Sequence, residues 1–286
     1  MKRTIISDQV SMDFEEALFS VREQFEYVEI HSLWNKTVED LSDDEAGEVE
    51  ALINKYRIKV SCLSTTLFLM CPLYGDVQSL EKFSEDFLVF IGDVGEHTER
   101  LRRCIELAVQ FDTEYIRIFP FRLEGELDRD FETLISDMEH RLSDAVALAA
   151  RGEKCLILEN CPHSYLPKGN MSFELAANID SRNLMLLYDI GNSFTSEHRH
   201  IPDRFGRASL GDEYETIKSM IRYVHIKDYE KTNGGFQHVA FGTGDIDYEN
   251  LFTRIKRDGR DGFISLEPEV TASDLEKSIK NFLNMT

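Results

Sequence analysis

The chain has 286 residues, of which 42% are apolar, enough to bury one substantial core. It carries 53 acidic against 32 basic residues, which gives a net charge of −21. This balance argues against nucleic acid or an anionic membrane surface as the main partner, because either would need a concentrated basic face.

The sequence also predicts a cytoplasmic protein with no membrane span. No stretch approaches the roughly 18 apolar residues of a membrane-spanning helix, and the N-terminus lacks the apolar stretch of a signal peptide. The five cysteines are odd in number and show no CxxC spacing. Reduced thiols in a reducing compartment are therefore expected.

Eight short apolar runs alternate with amphipathic stretches along the chain. The runs are Thr4–Ile6, Tyr27–Ile30, Ile58–Leu63, Tyr115–Phe119, Cys155–Leu158, Leu184–Tyr188, Tyr223–Ile226 and Phe263–Leu266. Several are unbroken, as expected for strands covered on both faces. A closed α/β barrel uses about 250 residues, so the pattern predicts one (β/α)8 TIM barrel over residues 1–286. A doubly wound sheet is the alternative.

The amphipathic stretches show the helical period of 3.6 residues. Two predicted apolar faces are formed by Leu101, Cys104, Ile105, Ala108 and Val109, and by Phe131, Leu134, Ile135, Met138, Leu142 and Val146. Ser42 with Glu45, and Ser273 with Glu276, have capping-box spacing at predicted helix starts.

The connection from Ser64 to Glu96, after the third strand, is unusually long and includes an apolar stretch at Phe83–Ile91. Connections of this length are usually functional or carry a short helix. We expect a partial lid over the mouth of the barrel.

The last four strands each run into a residue type that binds hard or borderline metal ions. These residues are Glu159, Asp189, His225 and Glu267, separated by 30, 36 and 42 positions. Functional side chains of a barrel cluster at the C-terminal ends of its strands, and adjacent strands lie about 4.8 Å apart. The pattern therefore predicts one divalent metal site, with Mn2+, Co2+ or Mg2+ favoured and Zn2+ an alternative.

The same half of the chain resembles the sugar-phosphate isomerase/epimerase branch of the xylose-isomerase-like TIM-barrel superfamily. The matching segments are Leu158–Asn160, Tyr188–Asn192, His225–Asp228, Gly242–Asp245 and Ser265–Pro268. The resemblance places the four predicted ligands on the metal positions of that family. One departure is Asn192, because ketose 3-epimerases of the superfamily usually have histidine there, which puts a ketose 3-epimerase substrate in doubt.

The site and the resemblance together imply a metal-dependent isomerase or epimerase of a sugar or sugar-derived keto compound. Glu159 and Glu267, on the outermost of the four strands, are the predicted proton carriers. A metal-bound carbonyl would favour removal of the neighbouring proton to give an enediolate. If a hydroxyl β to the carbonyl leaves instead, the reaction is a dehydration, as in the inosose and dehydroshikimate dehydratases of the superfamily. The sequence does not separate these outcomes.

Candidate substrate contacts lie beside the predicted ligands. Lys227 would point the same way as His225 by strand alternation, although a surface lysine paired with Asp228 is the alternative. Asn192 could orient Asp189, contact the substrate or merely form a turn. His163 follows Glu159 closely enough to contribute.

Further candidates come from the earlier strands and from a polar loop. Arg117 lies in an apolar run and requires a partner if buried, for which Glu29 is the candidate in a structural pair. His31 and Trp34 follow the second strand and could form a wall for sugar stacking, although Trp34 could equally be core. His198 and His200 are weak candidates for an extra metal ligand.

Two other classes compete with a carbohydrate isomerase. Apurinic-site endonucleases of the superfamily are implied to use three metals with histidines from the early strands, which are scarce here, and the net charge opposes DNA binding. A non-catalytic sugar-binding subunit would tolerate loss of the ligands that this chain retains. The expected partner is therefore a small carbohydrate, and a homodimer is left open.

Overall fold

In the computed structural model, described for residues 1–82, 84, 87–123, 129–196 and 201–286, eight parallel strands close into a barrel. The barrel strands are β1 (Lys2–Ile6), β2 (Tyr27–Ile30), β3 (Lys59–Leu63), β4 (Tyr115–Ile118), β5 (Cys155–Glu159), β6 (Leu184–Asp189), β7 (Ile221–Ile226) and β8 (Phe263–Leu266). Each strand pairs with the next along the chain, and β8 pairs with β1. This is the TIM-barrel fold that the sequence predicts.

Helices occupy the connections around the barrel. They are α1 (Phe14–Val21), α2 (Asp43–Tyr56), α3 (Val94–Gln110), α4 (Phe131–Arg151), α5 (Gly169–Ile179), α6 (Ile190–Thr195), α7 (Asp203–Gly206), α8 (Leu210–Ile217), α9 (Tyr248–Asp258) and α10 (Ala272–Met285). Short 3-10 helices cover Ser7–Gln9, Val38–Asp40 and Val77–Ser79. Within the described residues, every helix is too short or too polar to span a bilayer.

Two small antiparallel hairpins lie outside the barrel. One pairs Ser32–Leu33 with Lys36–Thr37, and the other pairs Asp228–Thr232 with Gly235–Val239. The second hairpin follows β7 directly and therefore starts at the end of the barrel where the predicted ligands lie.

The helix predictions hold in part. The α4 face is buried as expected, whereas Val109 of α3 is 62% exposed, so its placement on the apolar face is wrong. Ser42 and Glu45 form the predicted capping box. The second predicted box is wrong, because α10 begins at Ala272 after Thr271 and Ser273 lies inside the helix. All five cysteines are free and buried.

The described residues form three apolar clusters, of which Leu69, Phe119 and Cys161 form the smallest. The other two belong to the barrel and its helices. The larger lies between strands and helices, and a smaller one contains Cys62, Tyr115, Cys155, Ile157, Leu187, Tyr223 and Phe263. Hydroxyl groups continue from the smaller cluster, since Tyr223 Oη lies 2.8 Å from Ser61 Oγ, which lies 2.9 Å from Thr4 Oγ1. Packed aromatic rings thus support the polar site from below.

Candidate metal centre and substrate cavity

The four predicted ligands meet at the C-terminal end of the barrel. Glu159 and Asp189 are the last residues of β5 and β6, His225 lies one residue before the end of β7, and Glu267 follows β8. Strand register places Asp189 opposite His225, and Glu267 N–H donates to Ile226 O at 2.9 Å. One ligand atom from each of the four lies within 4.8 Å of the others.

The converging atoms have unfilled bonding capacity. Asp189 Oδ2, His225 Nδ1 and Glu267 Oε2 are buried; the two carboxylate oxygens form ion pairs of 3.0 Å with Lys227 Nζ, but none of the three atoms makes a well-aligned hydrogen bond to a described residue. His225 Nδ1 lies 3.2 Å from Glu267 Oε2, 3.8 Å from Glu159 Oε1 and 4.0 Å from Asp189 Oδ2. One ammonium group shared by two buried carboxylates leaves bonding capacity unfilled, which is costly, and three carboxylates with one imidazole suit a divalent cation. The residues present therefore fit the metal that the sequence predicts.

Glu29 of β2 orients the imidazole of His225. Its Oε1 and Oε2 lie 3.0 and 3.1 Å from His225 Nε2, and both side chains are fully buried. A carboxylate on Nε2 keeps the ring proton there, which leaves the Nδ1 lone pair facing the other ligands. The sequence predicts Arg117, and not His225, as the partner of Glu29.

Arg117 binds Glu159 in the structure, so the predicted pair between Arg117 and Glu29 is wrong. The guanidinium donates to Glu159 Oε2 at 3.0 Å and lies 3.9 Å from Glu267 Oε1. It also donates to the carbonyls of Ser64 and Thr65 at 2.9 and 3.1 Å. Arg117 thus fixes one predicted ligand and ties it to the connection after β3.

Lys227 is buried, so the alternative of a surface lysine paired with Asp228 is wrong. Its Nζ lies 3.0 Å from Asp189 Oδ2, 3.0 Å from Glu267 Oε2 and 3.1 Å from Glu269 Oε1. The stem of Lys227 packs on Gly191, where an added Cβ would lie only 2.5 Å from Lys227 Cγ. Glycine is therefore required at position 191 for the lysine to reach the site.

Asp228 has a structural role. It accepts hydrogen bonds from the backbone N–H groups of Gly242 and Gly244, both at 2.9 Å. These bonds fold the segment after the hairpin back onto the end of β7. The sequence signal Gly242–Asp245 is thus a structural turn beside the site.

Negative charge exceeds positive charge around the converging atoms. Burial, reinforced by Glu159 and Glu267, raises the pKa of Asp189 to about 7 even though Lys227 opposes the shift. Burial also disfavours the charge of Glu267, but Lys227 and His225 outweigh it and hold the pKa of Glu267 well below its usual range. The two carboxylates therefore differ in their affinity for protons, and a divalent cation would relieve their repulsion.

Two asparagines brace the β6 end of the site. Asn160 holds the backbone of Asp189 from both sides, with Oδ1 accepting from Asp189 N–H and Nδ2 donating to Asp189 O, each at 2.9 Å. The N–H of Asn192 donates to Asp189 Oδ1 at 2.7 Å, and its Nδ2 lies 3.3 Å from Glu159 Oε1. Asn192 therefore orients Asp189, which is one of its three predicted roles.

A cavity of about 1140 Å3 opens above these residues. The candidates Arg117, Asn192, Lys227, His31 and His163 all line it. Trp34 lies outside the lining and packs edge-on against Phe14 at 6.3 Å, so its predicted role as a sugar-stacking wall is wrong. His198 and His200 lie outside the described residues.

Apolar side chains form one wall of the cavity. They are Leu69, Phe87 and Leu88 after β3, Phe119 after β4, and Cys161 and Pro162 after β5. The hairpin after β7 contributes Tyr229, Phe236 and His238 on another side. His238 Nε2 lies 2.9 Å from Glu269 Oε2, which connects the hairpin to the cluster around Lys227.

The expected lid after β3 is smaller than the connection Ser64–Glu96. Residues 64–71 are all buried, and Thr66 N–H donates to Glu39 Oε1 at 2.9 Å. Phe68 N–H donates to His97 Nδ1 at 3.1 Å, within the same buried segment. Leu69 of this segment lines the cavity, as do Phe87 and Leu88 among the later described residues, and Phe83 lies outside the described residues.

Residues 21–284 match the family model of the xylose isomerase-like TIM barrel, and the chain belongs to this family. An uncharacterized protein of Methanocaldococcus jannaschii is 26% identical over 174 residues, which are 59% of this chain and 55% of that protein. The chain thus spans about half the length of the curated relative that it matches.

Solved structures share the fold at low sequence identity. A D-tagatose 3-epimerase-like protein superposes with a TM-score of 0.74 at 19% identity, covering 99% of this chain and 98% of that one. The probable 3-DHS dehydratase AsbF from Bacillus anthracis gives 0.74 at 18% identity, with both chains fully covered. The IOLI protein, crystallised with a zinc atom, gives 0.67 at 14% identity, covering 100% and 95%.

Proposed function

We propose that the chain is a divalent-metal-dependent isomerase or epimerase of a sugar or a sugar-derived keto compound. The observation that carries this proposal is the convergence of four buried ligand residues, Glu159, Asp189, His225 and Glu267, within 4.8 Å of one another beside a cavity. Convergent polar groups in a largely apolar cavity are typical of small-molecule sites. The strongly negative net charge of −21 disfavours nucleic acid as a substrate, so a small carbohydrate is favoured.

Glu159, Asp189, His225 and Glu267 would hold the ion, and Glu29 would orient His225. A bound divalent ion supplies Lewis-acid polarisation of a substrate carbonyl, which makes the neighbouring C–H more acidic. Mn2+, Co2+ and Mg2+ are the favoured ions for this ligand set. Zinc, which the IOLI structure contains, is the alternative.

Glu159 and Glu267 are the proposed proton carriers. They come from β5 and β8, which bracket the other two liganding strands, so they reach the cavity from different sides. Arg117 holds Glu159 by an ion pair of 3.0 Å, and Lys227 holds Glu267 at 3.0 Å. One carboxylate removes the proton from one face of the substrate carbon and the other returns a proton to the opposite face, which inverts that carbon. Positioned acid–base groups of this kind contribute about 10²–10⁴-fold each.

Dehydration of a cyclic keto-polyol is the second candidate. The fold is shared equally well with a probable 3-DHS dehydratase and an epimerase-like protein, at TM-scores of 0.74. Both reactions begin with the same proton removal. An endonuclease-like reaction is disfavoured, since the described residues contain one group of four metal-ligating side chains, too few for three ions.

Glutamine substitutions separate metal binding from chemistry. Glu159→Gln and Glu267→Gln each keep a side-chain oxygen but lose the carboxylate's charge and basicity. We expect each to weaken metal binding modestly and to abolish turnover, measured by NMR of sugars incubated with Mn2+-loaded enzyme in D2O.

In an epimerase the two variants should also differ from each other. Each would retain deuterium exchange only with the epimer that faces its remaining base, whereas a dehydratase shows no epimer-specific split. Near wild-type turnover in both variants, with metal bound, would refute these roles. Sugar binding by calorimetry without any exchange or turnover in the wild type would instead indicate a binding subunit.

A further inference from the structure

The cavity contains a histidine–aspartate pair that the proposed proton carriers do not use. His31 follows β2 and Asp8 lies in the 3-10 helix after β1, and both line the cavity. His31 Nδ1 lies 3.3 Å from Asp8 Oδ2 and 2.9 Å from Ser32 Oγ. The remaining ring nitrogen, Nε2, has no hydrogen-bond partner among the described residues.

The pair is held rigidly by the backbone around it. The N–H of Ser32 lies 3.4 Å from Asp8 Oδ1, and the carbonyl of His31 accepts from Val38 N–H at 2.9 Å. Burial disfavours the charged ring, but Asp8 outweighs burial, so the pKa of His31 is raised from its ordinary value. A carboxylate on one ring nitrogen and a free second nitrogen in a cavity are the usual arrangement of a proton-transferring histidine.

The other titratable side chains around the cavity are already engaged. Glu159 is paired with Arg117, and Glu267 with Lys227. His238 Nε2 is bound to Glu269 at 2.9 Å, and its Nδ1 makes no hydrogen bond but is buried. His31 combines an orienting carboxylate with a second ring nitrogen in a side chain that is 17% exposed at the cavity.

We propose that His31, oriented by Asp8, is a catalytic residue that transfers a proton to or from an oxygen of the substrate. This proposal rests on the proposed function, in which the two carboxylates act on carbon. In an epimerisation each substrate oxygen ends with the proton that it had at the start. An oxygen-directed proton carrier therefore favours aldose–ketose isomerisation or dehydration over epimerisation alone.

The proton balance differs between the two favoured reactions. In isomerisation a carboxylate removes the proton on carbon, whose electron pair forms the C=C bond of the enediol. His31 Nε2 accepts the proton of the hydroxyl at that carbon, which becomes the new carbonyl, and delivers one to the former carbonyl oxygen. The electron pair of the C=C bond then takes a proton back from the carboxylate at the former carbonyl carbon. In dehydration the electron pair expels the β-hydroxyl as its C–O bond breaks, and protonation by His31 Nε2–H releases water. Neither reaction requires an oxidant or a reductant.

The test compares His31→Gln and Asp8→Asn with the control His140→Gln, which changes an exposed histidine of α4 outside the cavity lining. Mn2+-loaded enzymes are incubated in D2O with D-fructose, D-tagatose and 3-dehydroshikimate, and NMR follows both exchange at carbon and product formation. For His31→Gln we expect exchange and KM within about threefold of wild type, while product formation falls about 100-fold or more. Asp8→Asn should show the same split less severely, and the control should match wild type.

Each remaining outcome overturns a defined part of the reasoning. Unchanged product formation in His31→Gln overturns the role of His31, as does an equal loss of exchange and product, since His31 would then act at carbon or in binding. A wild-type product that is solely an epimer overturns it as well. Absence of exchange by the wild type with every probe overturns the proposed function itself.

Discussion

The contact between Glu29 and His225 predicts a specific loss of metal affinity in Glu29→Gln. The carboxylate contacts His225 Nε2 through both oxygens, at 3.0 and 3.1 Å, in a fully buried environment. Glutamine preserves the volume but can rotate so that its NH2 group donates to Nε2. The ring proton would then move to Nδ1, the atom that faces the other ligands, and would oppose a cation there.

The expected magnitude follows from comparable outer-sphere changes. Loss of the carboxylate partner of a ligating histidine typically costs 10- to 100-fold in metal affinity, which corresponds to about 1.4–2.7 kcal/mol. Isothermal titration with Mn2+ measures this directly, and thermal unfolding of the metal-free variants checks that they fold. Glu39→Gln is the matched control, because Glu39 is equally buried but bonds to Thr66.

Glu29→Asp separates orientation from charge. Aspartate keeps the negative charge but is one methylene shorter, so it cannot reach His225 in the same way. A purely electrostatic contribution predicts near wild-type affinity, whereas orientation predicts a partial loss. Wild-type Mn2+ affinity in a folded Glu29→Gln protein, or an equal loss in Glu39→Gln, would refute the reasoning.

Three further predictions concern the metal, acid stability and the mouth of the cavity. The chain should bind about one Mn2+, and Mn2+ at 100 times its Kd should stabilise the fold by about 2.7 kcal/mol; calorimetry without a detectable site would contradict this. Burial lowers the pKa of His97 to about 4, so the unfolded chain takes up the proton first, and about 3 kcal/mol of stability should be lost as pH falls from about 6.5 to 4. Urea unfolding should show a flatter acid dependence in His97→Asn, and an unchanged one would contradict the assignment. Hydrogen exchange should show residues 64–71 protected with and without ligand and residues 87–91 protected mainly with it; equal protection of both segments would indicate a fixed insertion.

The barrel and the four converging residues were predictable because both follow from strand periodicity. Eight apolar runs appear as strands with ends shifted by at most two residues, and parallel strands place their C-terminal ends together regardless of the loops between them. The convergence of Glu159, Asp189, His225 and Glu267 needed only their positions at strand ends. Side-chain burial in α4 was equally accessible, since an uninterrupted helix has a fixed period.

The partners of buried charges were not predictable in the same way. Arg117 and Glu29 both point into the barrel. Which side chain each of them contacts depends on the register between strands that are distant in sequence. Whether Trp34 lies in the cavity wall could not be judged from the sequence, because Trp34 has a positive φ of 51° in a tight hairpin and the local sequence does not predict that conformation. Glu269 and Asp8 were missed because nothing in their neighbourhood distinguishes them from surface acids.

The cavity's two kinds of lining have separate structural origins. The carboxylates of the candidate metal centre, its imidazole and the guanidinium belong to barrel strands or directly adjoin them, whereas the apolar wall residues Leu69, Phe87 and Pro162 lie on the connections that follow β3 and β5. A library randomised at these wall positions should therefore yield proteins with altered substrate preference and unaltered Mn2+ affinity. Such variants would show that substrate preference can be changed by engineering the connections without rebuilding the strand ends that hold the candidate metal centre.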